Sequence, residues 1–306
     1  MKPPPFDYVA PNSLEEALAA LSAGAADAKL LAGGQSLIPL LNFRLARPSL
    51  LVDLNRVAEL AYVTQRDRGV GIGAMTRQAA VEADRNLADM QPLLVEAMHW
   101  VGHAAIRSRG TIGGSLAHAD PAAELPAVAV CLDAQLTVVG PRGRRTVAAQ
   151  DFFVGYLTTV LEPDEILVDI WLPPLASSTG HAWVEFARRH GDFALAGAAV
   201  SLSLVGEYVA DARIVLTGVG GKPARCREAE MLLVGGRAPE RASAAATAVR
   251  SSIEPDTDIH ATRQYRTHLA GVLTERAIRV AHERALARAP AALDVRRALE
   301  TMSRYA

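Results

Sequence analysis

Two short stretches place adjacent glycines ahead of a serine: Ala32-Gly33-Gly34-Gln35-Ser36 and Thr111-Ile112-Gly113-Gly114-Ser115. Such a turn at a helix start exposes consecutive backbone N–H groups, which suit a phosphate. Glycine fits there because a Cβ would hold the ligand away and would penalise a positive φ. One such turn alone reads as an ordinary connection. Two copies, each preceded by a strand-like run, point to a shared diphosphate. No lysine follows the glycines as in a Walker loop, and neither copy is the G-x-G-x-x-G of a dinucleotide fold. GIGAMT (71–76) comes nearest to that fingerprint, lacks its third glycine, and reads as a strand end.

Other reactive types are present at less telling spacings. His99 and His103 lie four apart, the interval of a helical zinc pair, but Trp100 stands where a metalloprotease carries its glutamate. They read as partly buried structural histidines. Ser115 and His118 lack the G-x-S-x-G elbow of a hydrolase, which excludes that chemistry. Asp120 and Glu124 read either as helix N-terminal acids or as acceptors for ribose or ribityl hydroxyls. No catalytic residue and no metal ligand is assigned to the chain.

The elements around these residues follow from local signals. Ser13-Leu14-Glu15-Glu16 is a capping box that starts a helix ending near Gly24. AKLLA is a strand, Ser36 caps a helix running to Arg47, and SLLVDL is the next strand, a connection that favours a parallel pair. GVGIGAM is a strand followed by a helix capped by Thr76. A longer helix spans Pro92 to Ala105, and another runs from Ala122 to Leu132. AQLTVV and EILVDIWLP are strands, the latter stopped by Pro173-Pro174. LASSTGHA (175–182) is the linker. Three antiparallel strands and three helices follow, the last helix covering Thr262 to Ala287 with Leu269, Val272, Leu273, Ala277 and Val280 on one face. This divides the chain into residues 1–57, 58–176 and 177–306.

Composition narrows the function. The 306 residues carry 32 basic and 33 acidic side chains, with no long basic run. That balance excludes the electrostatic footprint of a nucleic-acid or anionic-membrane binder. MKPPPFDYVAP has prolines where a secretion signal needs an apolar helix, and no apolar run reaches membrane-spanning length. The chain is expected to be cytoplasmic. Two cysteines, Cys131 and Cys226, provide no iron–sulfur or structural zinc set. Any redox metal must sit on another polypeptide.

LAGGQSL (31–37), IGAMT (72–76), RGTIGGSLAHADPAAELPA (109–127), EILVDIWLP (165–173) and ARRHGDFALAGAAV (187–200) together resemble the FAD-binding medium subunit of molybdenum hydroxylases. Carbon monoxide dehydrogenase and bacterial N-heterocycle dehydrogenases are the nearer types, with xanthine dehydrogenase more distant. The resemblance covers essentially the whole chain. It implies an α+β fold: a two-subdomain FAD-binding fold of the vanillyl-alcohol-oxidase/PCMH type, then a C-terminal antiparallel sheet with helices. It implies FAD held at its diphosphate by Ala32, Gly33, Gly34, Gln35 and Ser36 and by Thr111, Ile112, Gly113, Gly114 and Ser115. Glu124 falls on an acidic FAD contact, and Leu167 on an apolar one. It further implies a large molybdopterin-binding partner and a small [2Fe–2S] partner, arranged as a dimer of heterotrimers that passes electrons through FAD to an external acceptor. Glu185-Phe186-Ala187 stand where the xanthine dehydrogenase branch uses a lysine near the flavin, which speaks against direct NAD reduction and leaves the acceptor open. A self-sufficient oxidase or reductase of the same fold, and a flavin-free assembly subunit, are the alternatives.

Overall fold

Asp7–Val9 (β1), too short and polar to register as a strand in the sequence, pairs in parallel with Leu50–Asp53 (β3), which pairs in parallel with Ala28–Leu31 (β2). The computed structural model describes residues 2–24 and 27–288. Leu14–Ala23 (α1) starts where the capping box places it, with Ser13 Oγ accepting the N–H of Glu16 at 3.2 Å. The Glu16 carboxylate returns to the N–H of Asn12 (2.8 Å) rather than to Ser13. Between β2 and β3 runs Leu37–Asn42 (α2), which makes the expected parallel connection. It stops short of Arg47 because Arg44 turns left-handed (φ 59°) and the N–H groups of Leu45 and Ala46 fold back onto the Leu40 carbonyl. Ser36 precedes α2 without capping it, and its own backbone is helical.

The second unit is an antiparallel sheet with helices on one side. Val63–Arg66 (β4), Gly69–Gly73 (β5), Gln135–Gly140 (β6), Gly143–Ala148 (β7) and Ile166–Leu172 (β10) lie in the order β4-β5-β10-β6-β7. Phe153–Gly155 (β8) and Thr158–Thr159 (β9) form a separate small hairpin. The helices are Gln78–Ala83 (α3), Arg85–Met90 (α4), Pro92–Met98 (α5), Ala104–Arg107 (α6), Ile112–His118 (α7), Glu124–Cys131 (α8) and Ala149–Phe152 (α9).

Two expectations fail here for local reasons. The helix expected over Pro92–Ala105 breaks into α5 and α6 at Gly102, whose φ of 51° no right-handed helix accommodates. Arg77, not Thr76, precedes α3, because the Thr76 hydroxyl is taken up with Tyr62, accepting its N–H at 3.1 Å and donating to its carbonyl at 2.8 Å. The second glycine turn therefore follows a helix, α6, and not a strand. The first and second units share a core: Ala17, Leu21, Val52 and Leu60 pack with Met75, Ile166 and Val168.

In the third unit, Thr179–Phe186 (β11), Ala196–Val205 (β12), Tyr208–Thr217 (β13) and Ala224–Arg225 (β14) form an antiparallel sheet in sequence order. The strand β11 begins inside the segment read as linker, leaving only about four residues for the crossing after the strand-stopping prolines. Arg227–Leu233 (α10), Ala238–Ser252 (α11) and Arg263–Arg288 (α12) cover one face, close to where the sequence places them. The other face presses on α8: Trp183, Ala199 and Val215 join Leu125 and Val128 in one apolar cluster. Each large side chain buried in this way contributes roughly 1.5–3 kcal/mol. The seam is also pinned by polar contacts, since the Thr217 hydroxyl lies 2.8 Å from the Pro121 carbonyl and 2.7 Å from that of Ala123, and the Gly218 N–H donates to Pro121 at 2.8 Å. The architecture is α+β, as expected.

Candidate functional site

The two glycine turns meet. A Cβ built on Gly33 would fall 2.8 Å from the Cα of Gly110, and one on Gly114 would fall 3.3 Å from the Cβ of Ala32. These distances are tighter than ordinary packing, so glycine lets the segments touch backbone to backbone at Gly33 and lets the Ala32 methyl approach at Gly114. Residues eighty positions apart thus line one site.

The turns contribute differently. In the first, between β2 and α2, the N–H groups of Gly34, Gln35, Ser36 and Leu37 find no protein acceptor among the described residues, and the Ile38 N–H is the first to close, onto Gly34 at 3.0 Å. Gly34 has φ 74°, the left-handed conformation expected of the pair. Gln35 folds its amide onto the Gly33 carbonyl (3.0 Å). All four of Gly34, Gln35, Ser36 and Leu37 are half-buried, which gives a row of donors open to an anion.

In the second turn the donors are spent. Ile112 N–H donates to Thr76 (3.0 Å), Gly113 to Ala74 (2.8 Å), Gly114 to the Thr111 hydroxyl (3.0 Å) and Ser115 to the Thr111 carbonyl (3.2 Å). Neither Gly113 nor Gly114 has positive φ, contrary to expectation. Gly113 is glycine because α7 lies against β5's end, where its Cβ would meet the Ala74 carbonyl oxygen at 2.7 Å. This turn is a wall, and Ser115, half-buried, has no protein partner among the described residues for its hydroxyl.

Glu124 opens α8 and is 4% exposed; burial pushes its carboxyl up to about 7, with the nearby Asp120 charge adding to the effect. Leu167 lies in β10 beside an irregularity in the ladder, 4% exposed and inside the apolar cluster of the second unit. Its neighbour Val168 is linked to the second turn, accepting the Ala74 N–H (3.0 Å) while Ala74 accepts that of Gly113.

His99 and His103 do not share a helix face. His99 ends α5 with its Nδ1 3.1 Å from Glu82, His103 precedes α6, and both are exposed rather than partly buried. No group of three metal-ligating side chains occurs among the described residues. Cys131 and Cys226 are free and buried, and burial pushes their thiols up to about 12 and 11, so neither is a ready thiolate ligand. Among the described residues no helix is long and apolar enough to cross a membrane.

Sequence reasoning missed two residues here, and the burial of a third that it had placed near the flavin by resemblance, Glu185. Arg77 and Asn55 join the two turns by side-chain hydrogen bonds. Glu185, on β11, is 6% exposed, and burial with the Glu124 charge nearby pushes it up to about 8. Trp183 Nε1 donates to its Oε2 at 3.1 Å. Lone polar residues in strand and turn sequences carry no periodic signal, so neither Arg77 nor Asn55 stands out before the chain is folded, and nothing local marks Glu185 as buried.

The arrangement suits an anionic group: N–H donors of the first turn without a protein acceptor among the described residues, with the small-residue second turn packed against that segment. The chain resembles known proteins over nearly its whole length. Residues 4–175 match the family described as FAD binding domain in molybdopterin dehydrogenase, and residues 181–281 match the CO dehydrogenase flavoprotein C-terminal domain. The 6-hydroxypseudooxynicotine dehydrogenase complex subunit alpha of Paenarthrobacter nicotinovorans is 44% identical, over 93% of this chain and 97% of that one. Carbon monoxide dehydrogenase from Hydrogenophaga pseudoflava, solved without the Mo-pyranopterin moiety of its molybdenum cofactor, superposes with a TM-score of 0.91 at 40% identity, over 95% of this chain and 100% of the matched one. Quinoline 2-oxidoreductase from Pseudomonas putida 86 superposes with a TM-score of 0.89, also at 40% identity, over 93% and 99%.

Proposed function

This chain belongs to the FAD-binding medium subunits of the molybdenum hydroxylases, and we propose that it is the electron-exit subunit of such a complex, passing electrons from [2Fe–2S] clusters on a small partner through FAD to an external acceptor. The substrate is oxidised at a molybdenum–pterin centre on a large partner, and the complex assembles as a dimer of heterotrimers. Bound FAD supplies the step between cluster electrons and the acceptor; the protein binds, orients and tunes it.

The observation that carries this reading is the contact of Gly33 with Gly110 and of Ala32 with Gly114. Around that contact, the N–H groups of residues 34–37 would hold the diphosphate, since they lack a protein acceptor among the described residues, and hydrogen bonds to a charged acceptor of this kind contribute about 1.5–3 kcal/mol each. The half-buried Ser36 and Ser115 hydroxyls could donate to it as well. Gly113 and Gly114 keep α7 close enough to form the wall. Glu124 and Leu167 sit further along the same unit, the first with a proton to share near neutral pH and the second as apolar packing.

The test is a flavin-depleted complex that keeps its molybdenum and iron. Substrate should still bleach the iron–sulfur absorption while reduction of the external acceptor stops, and added FAD should restore it. Unchanged acceptor reduction without flavin would rule out the electron-exit role.

A further inference from the structure

Arg77 precedes α3 with extended backbone (φ −69°, ψ 140°) and caps nothing. Its guanidinium instead reaches two ways. One arm, Nη1, donates to the carbonyl of Arg109, the residue before Gly110. The other, Nη2, donates to Asn55 Oδ1 at 2.5 Å. Asn55 Nδ2 in turn donates to the carbonyl of Ala32 at 2.9 Å. The Arg77 backbone also makes an isolated antiparallel bridge with Thr111. An unbroken path therefore runs from the residue that opens the first glycine turn to the residues that open the second.

The charge at this place is unbalanced. Burial depresses the Arg77 pKa, the Arg109 charge depresses it further, and Asp53 offsets only part of this. Asp53 is itself occupied, accepting from the Tyr8 hydroxyl at 2.5 Å and from the Asn55 N–H at 2.9 Å. The Arg77 guanidinium thus lies on the Arg109 carbonyl against which Gly33 packs, with the Arg109 charge acting on it, and an anion between the turns would relieve that repulsion.

We propose that Arg77 is a positioning residue of the diphosphate site: it ties the two glycine turns into a single cradle and lends that cradle positive charge. The inference rests on the FAD reading above. A planar fork is needed, since a lysine ammonium keeps the charge but cannot hold two acceptors in fixed, divergent directions.

The experiment titrates flavin-depleted complex with three probes: FAD, ADP, which carries the diphosphate, and riboflavin, which carries none. Arg77→Met should weaken FAD and ADP by roughly tenfold to a hundredfold and leave riboflavin unchanged. Arg77→Lys should recover only part of the ADP affinity, and Asn55→Ala should lose part of it with both charges intact. Thermal melting of the depleted variants shows whether they are folded, and Arg77→Lys serves if Arg77→Met is not. Full ADP affinity in folded Arg77→Met, or full recovery by Arg77→Lys, overturns the proposal. Gly34→Val separates the two claims. If it abolishes ADP binding while Arg77→Met and Arg77→Lys do not weaken it, only Arg77's role is wrong; if Gly34→Val leaves ADP binding unchanged, the diphosphate reading itself fails.

Discussion

Gly33 rests on Gly110 with no room for a side chain: a Cβ on Gly33 would lie 2.8 Å from the Gly110 Cα and closer still to the Arg109 carbonyl. This contact is where two turns eighty residues apart become one site. Gly33→Ala should push them apart, at a cost of about 1–3 kcal/mol for overpacking a rigid backbone contact. The expected result is a folded chain with a lowered flavin-to-protein ratio. Gly155→Ala, where an added Cβ meets nothing within 4 Å, is the control and should retain its flavin. Equal flavin content in both would remove the contact from the account.

Gly113→Val should fail for a reason different from the one its sequence suggests. The glycine is helical, its N–H is bonded to Ala74, and a Cβ would strike the Ala74 backbone. The damage is to the packing of α7 on the end of β5, by about 1–3 kcal/mol or more. The flavin-free protein should therefore already melt at a lower temperature, before any ligand is considered. A normal melting temperature combined with lost FAD would mean that Gly113 acts on the cofactor directly.

Glu124 and Glu185 predict a loss of stability as pH rises from 4.5 to about 7 and about 8. Both are buried at the seam between α8 and the third unit, and their folded values are raised from 4.5 to about 7 and about 8. The folded protein therefore holds these protons more tightly than the unfolded chain. The resulting stabilisation is complete below pH 4.5 and is lost as pH rises through 7 and 8. It amounts to roughly a few kcal/mol, because a tenfold difference in proton affinity between folded and unfolded chain is worth about 1.36 kcal/mol. Glu185→Gln should flatten the decline in melting temperature between pH 4.5 and about 8. An unaltered slope in that variant would show that Glu185 is not the titrating group.

Much of this was legible before folding because it is local. The Ser13 cap, the β2–α2–β3 connection, the long hairpin of β12 and β13 and the last helix depend on neighbours in sequence. Both glycine turns were visible for the same reason. What each turn does was not, because the acceptors of the Ile112 and Gly113 N–H groups, Thr76 and Ala74, lie more than thirty-five residues upstream. Arg77 and Asn55 were missed likewise, since their partners are brought in by tertiary contacts, and the Glu124 charge beside Glu185 was hidden for the same reason. The edge strands β4 (VTQR) and β7 (GRRTVA) carry few apolar residues, being solvated along much of their length, and so show no buried alternation. Gly102 broke a helix that its flanking residues favour, a choice made by φ rather than by periodicity.

The central claim is that the two glycine turns together hold one FAD diphosphate. The most direct measurement is the identity and amount of flavin released from the purified complex by heat or acid, resolved by chromatography. Stoichiometric FAD is the expected result, because FMN with its single phosphate would occupy only half of the cradle. Stoichiometric FMN, or a colourless complex that releases no flavin, would contradict it.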